Sequence, residues 1–198
     1  VTIPYSLILD DRDQAYKPTS GYRTYFSQSL PLITDDGTLV NTFEYNKYHK
    51  FADEMIGKLS IYFQTANSIS GKDVRISKRS FIPASRLRGF APSKIGPIDG
   101  TDFVGGNYAA SINLSTDLPF IYPTAQNFDF KFFVDAANVW GIDYSSTIDD
   151  SFKVRTATGI GVDWHTPVGP LAFSLSAPLT KNSTDVTEAF RFQLGTSF

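Results

Sequence analysis

Apolar and polar residues alternate along most of this chain with a period of two. Near the C-terminus Phe190, Phe192, Leu194 and Phe198 fall on one face, and Arg191, Gln193, Gly195 and Ser197 on the other. Successive side chains of a strand point to opposite faces, so the segment predicts a strand with one apolar and one wet side. The same reading holds upstream. In 171–179, Leu171, Phe173, Leu175, Ala177 and Leu179 oppose Ala172, Ser174, Ser176 and Pro178. In 156–165, Ile160, Val162 and Trp164 oppose Gly159, Gly161, Asp163 and His165. In 128–136, Phe128, Phe130, Phe132 and Val134 oppose Asp129, Lys131, Phe133 and Asp135. In 108–116, Ala110, Ile112 and Leu114 oppose Ala109, Ser111, Asn113 and Ser115, and in 58–66, Leu59, Ile61 and Phe63 oppose Ser60, Tyr62 and Gln64. Weaker strands cover 1–10, 21–30 and 40–50. The result is roughly nine strands of about ten residues, the length a tilted strand needs to cross a bilayer.

Helical patterns are nearly absent. The short stretch Ala52-Asp53-Glu54-Met55 has no N-cap residue before it and reads as a turn. Thr166-Pro167-Val168-Gly169-Pro170 is a tight connection, and Asp117 to Pro123 is a short break with aromatics at Phe120 and Tyr122. Polar links lie at 142–153 and 180–188. The outlier is 67–107, which is rich in Gly, Pro, Lys and Arg and shows little alternation. A connection of that length is functional or disordered.

A soluble β-sandwich also alternates. Two features favour an antiparallel transmembrane β-barrel: successive Phe residues on the apolar faces, and Lys, Arg, Asp and Gln in mid-strand on the others, as a water-filled lumen tolerates. The 15% aromatic content, with 17 Phe and 10 Tyr, suits strands and membrane interfaces. Trp140 and Trp164 read as interface aromatics. No apolar stretch approaches the ~18–20 residues of a membrane-spanning helix. The chain has no Cys, which excludes disulfides and thiolate metal sites, and a net charge of −2, which argues against a nucleic-acid partner. Asp10, Asp11 and Asp13 lack the rest of a calcium loop and read as turn and lumen charges. His49 and His165 have no evident nucleophile or metal partners, and Gly105-Gly106-Asn107 is a turn rather than a phosphate cradle. No cofactor, metal or catalytic residue is expected. The chain has neither a signal peptide nor an initiating Met, so a piece of a longer protein is the favoured expectation.

Five stretches in order carry a family resemblance across nearly the whole chain. Arg86-Leu87-Arg88-Gly89-Phe90 resembles the (V/L)RG(F/Y) signature of the BamA-like and two-partner-secretion transporter superfamily. Asp10-Asp11-Arg12-Asp13 followed by Lys17-Pro18-Thr19-Ser20-Gly21 resembles its DxRD…PTxG element. Phe133 through Trp140 resembles its F(V/W)DxGxVW strand, and Gly159 through Leu171 resembles GxGxxWxSPxGPL. The terminal strand ending in Phe198 resembles the outer-membrane C-terminal signal.

The resemblance implies the C-terminal part of a transmembrane β-barrel, about nine strands of a 16-stranded one, in a bacterial outer membrane. The POTRA domains of the family lie outside this chain. It implies that 67–107 is a long extracellular loop folding into the lumen, where Arg88 meets Asp135. Taken without the resemblance, the two read as a solvated loop arginine and a lumen-facing carboxylate. Gly89 permits the close turn that brings Arg88 and Phe90 to the wall. Many members have Glu on the preceding strand where this chain has Asn113, and Ala137 replaces the usual glycine after the aspartate. Gly195 occupies the place where the terminal strand kinks to form a lateral seam, with Phe190, Phe192 and Phe198 on its apolar face; relief of crowding is the plainer reading. The implied function is assembly of other barrels, with unfolded outer-membrane proteins, periplasmic chaperones, assembly lipoproteins, the lipid bilayer and lipopolysaccharide as partners. The alternatives are a two-partner-secretion or TamA-like transporter, a passive porin, or a soluble β-sandwich binding module.

Overall fold

A computed structural model describes residues 2–32, 37–119, 121, 127–167 and 169–194. Phe120, Tyr122, Pro123, Val168, Gly195, Ser197 and Phe198 lie outside these described residues, so the expected kink at Gly195 and the terminal signal at Phe198 do too. The chain forms β1 (Thr2–Asp10), β2 (Gly21–Pro31), β3 (Thr38–Ala52), β4 (Met55–Ser68), β5 (Ile98–Asp99), β6 (Asp102–Phe103), β7 (Tyr108–Asp117), β8 (Phe128–Trp140), β9 (Arg155–Thr166), β10 (Gly169–Thr180) and β11 (Phe190–Leu194). Nine of these make one antiparallel sheet in the order β1-β2-β3-β4-β7-β8-β9-β10-β11, and β5 and β6 form a small separate hairpin. No helix of the described residues is long and apolar enough to cross a membrane.

The alternation in sequence becomes two chemically different faces. Outward-pointing Leu7, Phe43, Phe63, Ile112, Leu114, Phe132, Ile160, Leu175, Phe190 and Phe192 are all exposed. A β-sandwich would cover such a face with a second sheet; the only other sheet among the described residues is the four-residue hairpin. This is a membrane barrel wall, whose apolar side is solvated by lipid. The inward face carries Tyr62, Ala109, Phe133, Ala137, Ala157 and Ala172, all buried.

What buries that inward face is 69–107, the connection between β4 and β7. It is ordered rather than structureless. It contains two one-turn 3-10 helices, Ile76–Lys78 and Ala84–Arg86, and the β5–β6 hairpin. Its own Val74, Ile82, Leu87, Phe90, Ile95 and Val104 are buried. The alternation rule misses them because they pack as an irregular segment against a wall. The hydrophobic core of this molecule therefore lies between a loop and one sheet: Ile82, Leu87, Phe90 and Ile95 meet Tyr62, Ala109, Ala137, Val139 and Ala157. Small inward residues on β7 to β10 leave the room this packing needs.

Connections alternate between the two ends of the sheet. The 69–107, 141–154 and 181–189 segments share one end; the 11–20 and 118–127 connections and the Asp53–Glu54 and 167–168 turns share the other. Asp53–Glu54 is the turn expected there, with Glu54 at φ 63°. In the 11–20 connection the Asp13 carboxylate accepts from the Thr19 hydroxyl at 2.5 Å and from the Thr19 and Ser20 amides at 3.0 and 3.2 Å. These bonds, the hydroxyl's first, hold the Asp13 carboxyl below its ordinary value.

Two outcomes follow. Ile61→Lys on the outward face should cost about 2–4 kcal/mol in denaturant unfolding from lipid vesicles, whereas Gln64→Lys on the inward face should cost far less. Because Asp13's folded-state value is depressed, its ordering of the 11–20 connection is present above the free aspartate value of about 3.9. That ordering is lost as pH falls through the lower folded value, so hydrogen exchange at 14–20 should accelerate there without loss of strand signal.

Candidate functional site

The stretch 84–91 reaches the inner wall because glycine stands at its bend. Gly89 has φ +87°, a left-handed conformation, and a Cβ there would sit 3.0 Å from the Ala157 Cβ. Either feature alone disfavours any other residue. Leu87 and Phe90 on either side are buried against the wall, anchoring the bend by apolar contact.

Between them Arg88 points at β8. Its Nε donates to Asp135 Oδ2 at 2.8 Å and its Nη2 to Oδ1 at 2.8 Å, a two-point fork on one carboxylate. The Arg88 main-chain N–H also donates to Oδ2 at 3.0 Å. The guanidinium lies 3.4 Å from the centre of the Phe133 ring, so its face is covered by the neighbouring inward side chain of the same strand. Asp135 is 0% exposed and Arg88 4%. A charge pair this buried is favourable only if its remaining hydrogen-bonding positions are filled. Asn113 fills one: its Nδ2 donates to Asp135 Oδ1 at 2.9 Å and to the Arg86 carbonyl at 2.7 Å. Asn113, in the place where the resemblance implies a glutamate in many members, thus serves the carboxylate as a donor. A glutamate there could not donate in this way when ionised. The Ala137 that replaces a glycine leaves the loop close enough for the Arg88 amide contact, and Ala137 itself is buried in the shared core.

Further ionic contacts surround this centre, and sequence reading did not single them out. Arg86 pairs with Glu44 of β3 at 2.8 Å and lies 4.7 Å from the centre of the Tyr62 ring. Arg155 of β9 pairs with Asp185 at 3.0 Å and donates to Asn138 Oδ1 at 2.7 Å. Arg191 of β11 donates to the carbonyls of Ala84 and Phe90, and to Glu188 at 3.0 and 2.8 Å. For Glu44, Arg155 and Arg191 the sequence signal is a position within a strand, which fixes a side chain's direction and not its partner; Arg86, Asp185 and Glu188 lie in connections and carry no such signal.

At the opposite end Tyr16 meets His165 Nδ1 at 3.2 Å, His165 Nε2 meets Asp129 at 2.6 Å, and Lys17 meets Asp129 at 2.7 Å. The β1–β2 connection thus reaches the ends of β8 and β9, so the sheet is curled and the connection lies across its mouth. A cavity of about 740 Å³ opens there, lined by Lys58, Asp117, Lys131 and Asp163 among others. No three His, Cys, Asp or Glu residues among those described are grouped to hold a metal.

At the edge, β11 pairs with β10 through Leu171↔Leu194 to Leu175↔Phe190, and among the described residues no strand lies on its other side. Phe190 and Phe192 face outward and are exposed.

Comparison with known proteins is consistent along the whole chain. The Omp85 superfamily domain matches residues 1–198. The chain is 25% identical over 202 residues to the outer membrane protein assembly factor BamA of Neorickettsia risticii, covering 99% of this chain and 27% of that protein. It is 26% identical over 207 residues to the sorting assembly machinery 50 kDa subunit of Saccharomyces cerevisiae, covering 98% of this chain and 42% of that one. Among solved structures, BamA from Haemophilus ducreyi lacking POTRA domains 1–3 superposes with a TM-score of 0.87 at 25% identity, over 96% of this chain and 41% of that chain. The chain therefore spans less than half the length of each of these relatives.

Removing either partner of the central pair strands the other charge in the core. Arg88→Ala and Asp135→Ala should each cost about 3–5 kcal/mol, and both together should cost clearly less than the sum of the two. The measurement is a double-mutant cycle on unfolding in vesicles; additive losses would mean that the two side chains do not hold one another.

Proposed function

Because the chain belongs to the Omp85 superfamily, we propose that it is the barrel portion of an outer-membrane assembly factor, one that folds and inserts other barrel proteins through a weak seam at β11. It works without covalent chemistry and resides in the outer membrane as a multi-pass barrel. Its partners are unfolded outer-membrane proteins, the periplasmic chaperones and assembly lipoproteins that deliver them, and the bilayer with its lipopolysaccharide.

The observation that carries this reading is the contrast between a firmly held interior and a weakly held edge. Arg88, Gly89 and Phe90, with Asp135 and Asn113, pin the re-entrant loop to the wall through a buried, fully hydrogen-bonded ion pair. The edge strand β11, described over Phe190–Leu194, is paired on one side among the described residues. An edge of that kind offers unpaired N–H and C=O groups to an incoming strand, which can add to the sheet by main-chain hydrogen bonding. Substrate folding supplies the driving force, and the edge lowers the barrier by presenting a template. Phe190 and Phe192 give the outward side of that template.

The test uses the full-length protein in lipid vesicles with a stalled barrel substrate. Photocrosslinkers placed singly along 190–198 should capture the substrate, and the same crosslinkers on the outward face of β8 should not. Absence of crosslinks along β11, or equal crosslinking at β8, would remove the seam. Ion conductance and polypeptide export without barrel insertion would point instead to a secretion transporter of the same superfamily.

A further inference from the structure

We propose that Arg191 is a positioning residue that ties edge strand β11 to the re-entrant loop, so that the hold on β11 depends on the loop being seated on Asp135. The inference deepens the seam reading above and rests on it only for its consequence, the release of β11 to a substrate.

The geometry is a chain of three links. In the first, β8 holds the loop through Asp135, which takes both the side chain and the main-chain N–H of Arg88. In the second, the same short stretch of loop turns two carbonyls, those of Ala84 and Phe90, toward β11. The Arg191 guanidinium donates Nη1 to the first and Nη2 to the second. In the third, Arg191 stands inward near the start of the paired part of β11, opposite Ser174 of β10. The residues on either side of it, Phe190 and Phe192, point outward and are exposed.

The main chain reinforces the connection. The Ala91 amide donates to the Val186 carbonyl at 2.8 Å, the Val186 amide to Lys94 at 3.2 Å, and the Glu188 amide to Gly89 at 3.1 Å. Phe90 and Thr187 form an antiparallel bridge. The loop is thus paired with 186–188, the segment that leads directly into β11. Residues 84–94 belong to the wall at one end, through Arg88, and to the edge strand at the other.

Lifting the loop therefore has a definite consequence at the edge. Arg191 is 6% exposed, and its remaining partner, Glu188, has a side chain 38% exposed. Without the two carbonyls the guanidinium is left under-satisfied in a buried position, and it must either drag β11 with it or leave. Among the described residues the β10–β11 ladder that opposes this runs from Leu175↔Phe190 to Leu171↔Leu194. A planar fork that spans two acceptors suits the role in a way that a lysine's single ammonium does not.

The experiment is hydrogen exchange, peptide by peptide, on the full-length protein in lipid nanodiscs. Asp135→Asn should raise exchange in 190–194 by about tenfold, the worth of one charge-assisted hydrogen bond, while β4 and β7 keep their protection. Arg191→Gln should do the same, and adding Asp135→Asn to it should change β11 no further. Arg191→Lys should recover only part of the protection. Unchanged β11 exchange in Asp135→Asn, or effects of the two substitutions that multiply, would overturn the coupling. Should Asp135→Asn deprotect every strand at once, Arg88→Lys breaks the fork more mildly and is read by the same criteria. Insertion of a substrate barrel, measured on the same samples, separates the two ideas. Loosened β11 with an unchanged insertion rate keeps the coupling and removes the seam; unmoved β11 removes the coupling and leaves the seam.

Discussion

The buried fork between Arg88 and Asp135 is the contact on which the interior of this molecule depends. It joins residues 47 positions apart in the sequence and fastens an irregular segment to a strand that would otherwise face water. A buried ion pair is expensive to desolvate, and its net worth comes from how completely its hydrogen bonds are filled. Here the carboxylate receives two guanidinium bonds, one main-chain amide and one Asn113 amide, while the guanidinium face lies on Phe133. The pair works as a specificity device: one position of the loop satisfies all these groups, and displacement leaves several of them unpaired at once.

The packing around the pair follows from the same constraint. A barrel wall has an apolar outside, so it cannot build a core by stacking on a second sheet. Its core must come from within, and the 69–107 segment supplies it. That arrangement needs small side chains on the wall and large ones on the loop. Ala109, Ala137 and Ala157 meet Leu87, Phe90 and Ile95 on these terms. Gly89 permits a close approach, because its left-handed backbone angle disfavours a side chain and a Cβ would crowd that of Ala157. The rest of the inward face is wet, and there polar groups pair across strands, as in Lys131–Asp163 and His165–Asp129.

The outward face obeys the opposite rule. Phe43, Phe63, Ile112, Phe132, Ile160 and Leu175 are exposed because lipid, not water, is their solvent. The inwardly packed wall and the edge strand are linked in space, since the loop that completes the core is also the partner of Arg191 on β11.

The periodicity of two was enough to read the strands, their two faces and the class of fold, because side-chain direction in a strand depends on residue parity alone. It located β1, β2, β7, β9 and β10 closely, and β11 as far as Leu194. It fell short at the ends of β3, β4 and β8, which run over Thr38–Ala52, Met55–Ser68 and Phe128–Trp140, since the ends of a strand carry no lipid-facing requirement. The motif around Arg88 to Phe90 was legible through resemblance, and Asp135 through its inward parity. What parity cannot supply is register and distance. That Asn113 donates to Asp135 rather than facing Arg88, that Arg86 finds Glu44, and that Arg191 spans two loop carbonyls all depend on which residues stand opposite one another after a 39-residue connection has folded back. That connection has no repeating pattern, because its side chains answer to the shape of a wall built by strands on both sides of it in sequence, and only the tertiary structure brings that wall and the loop together.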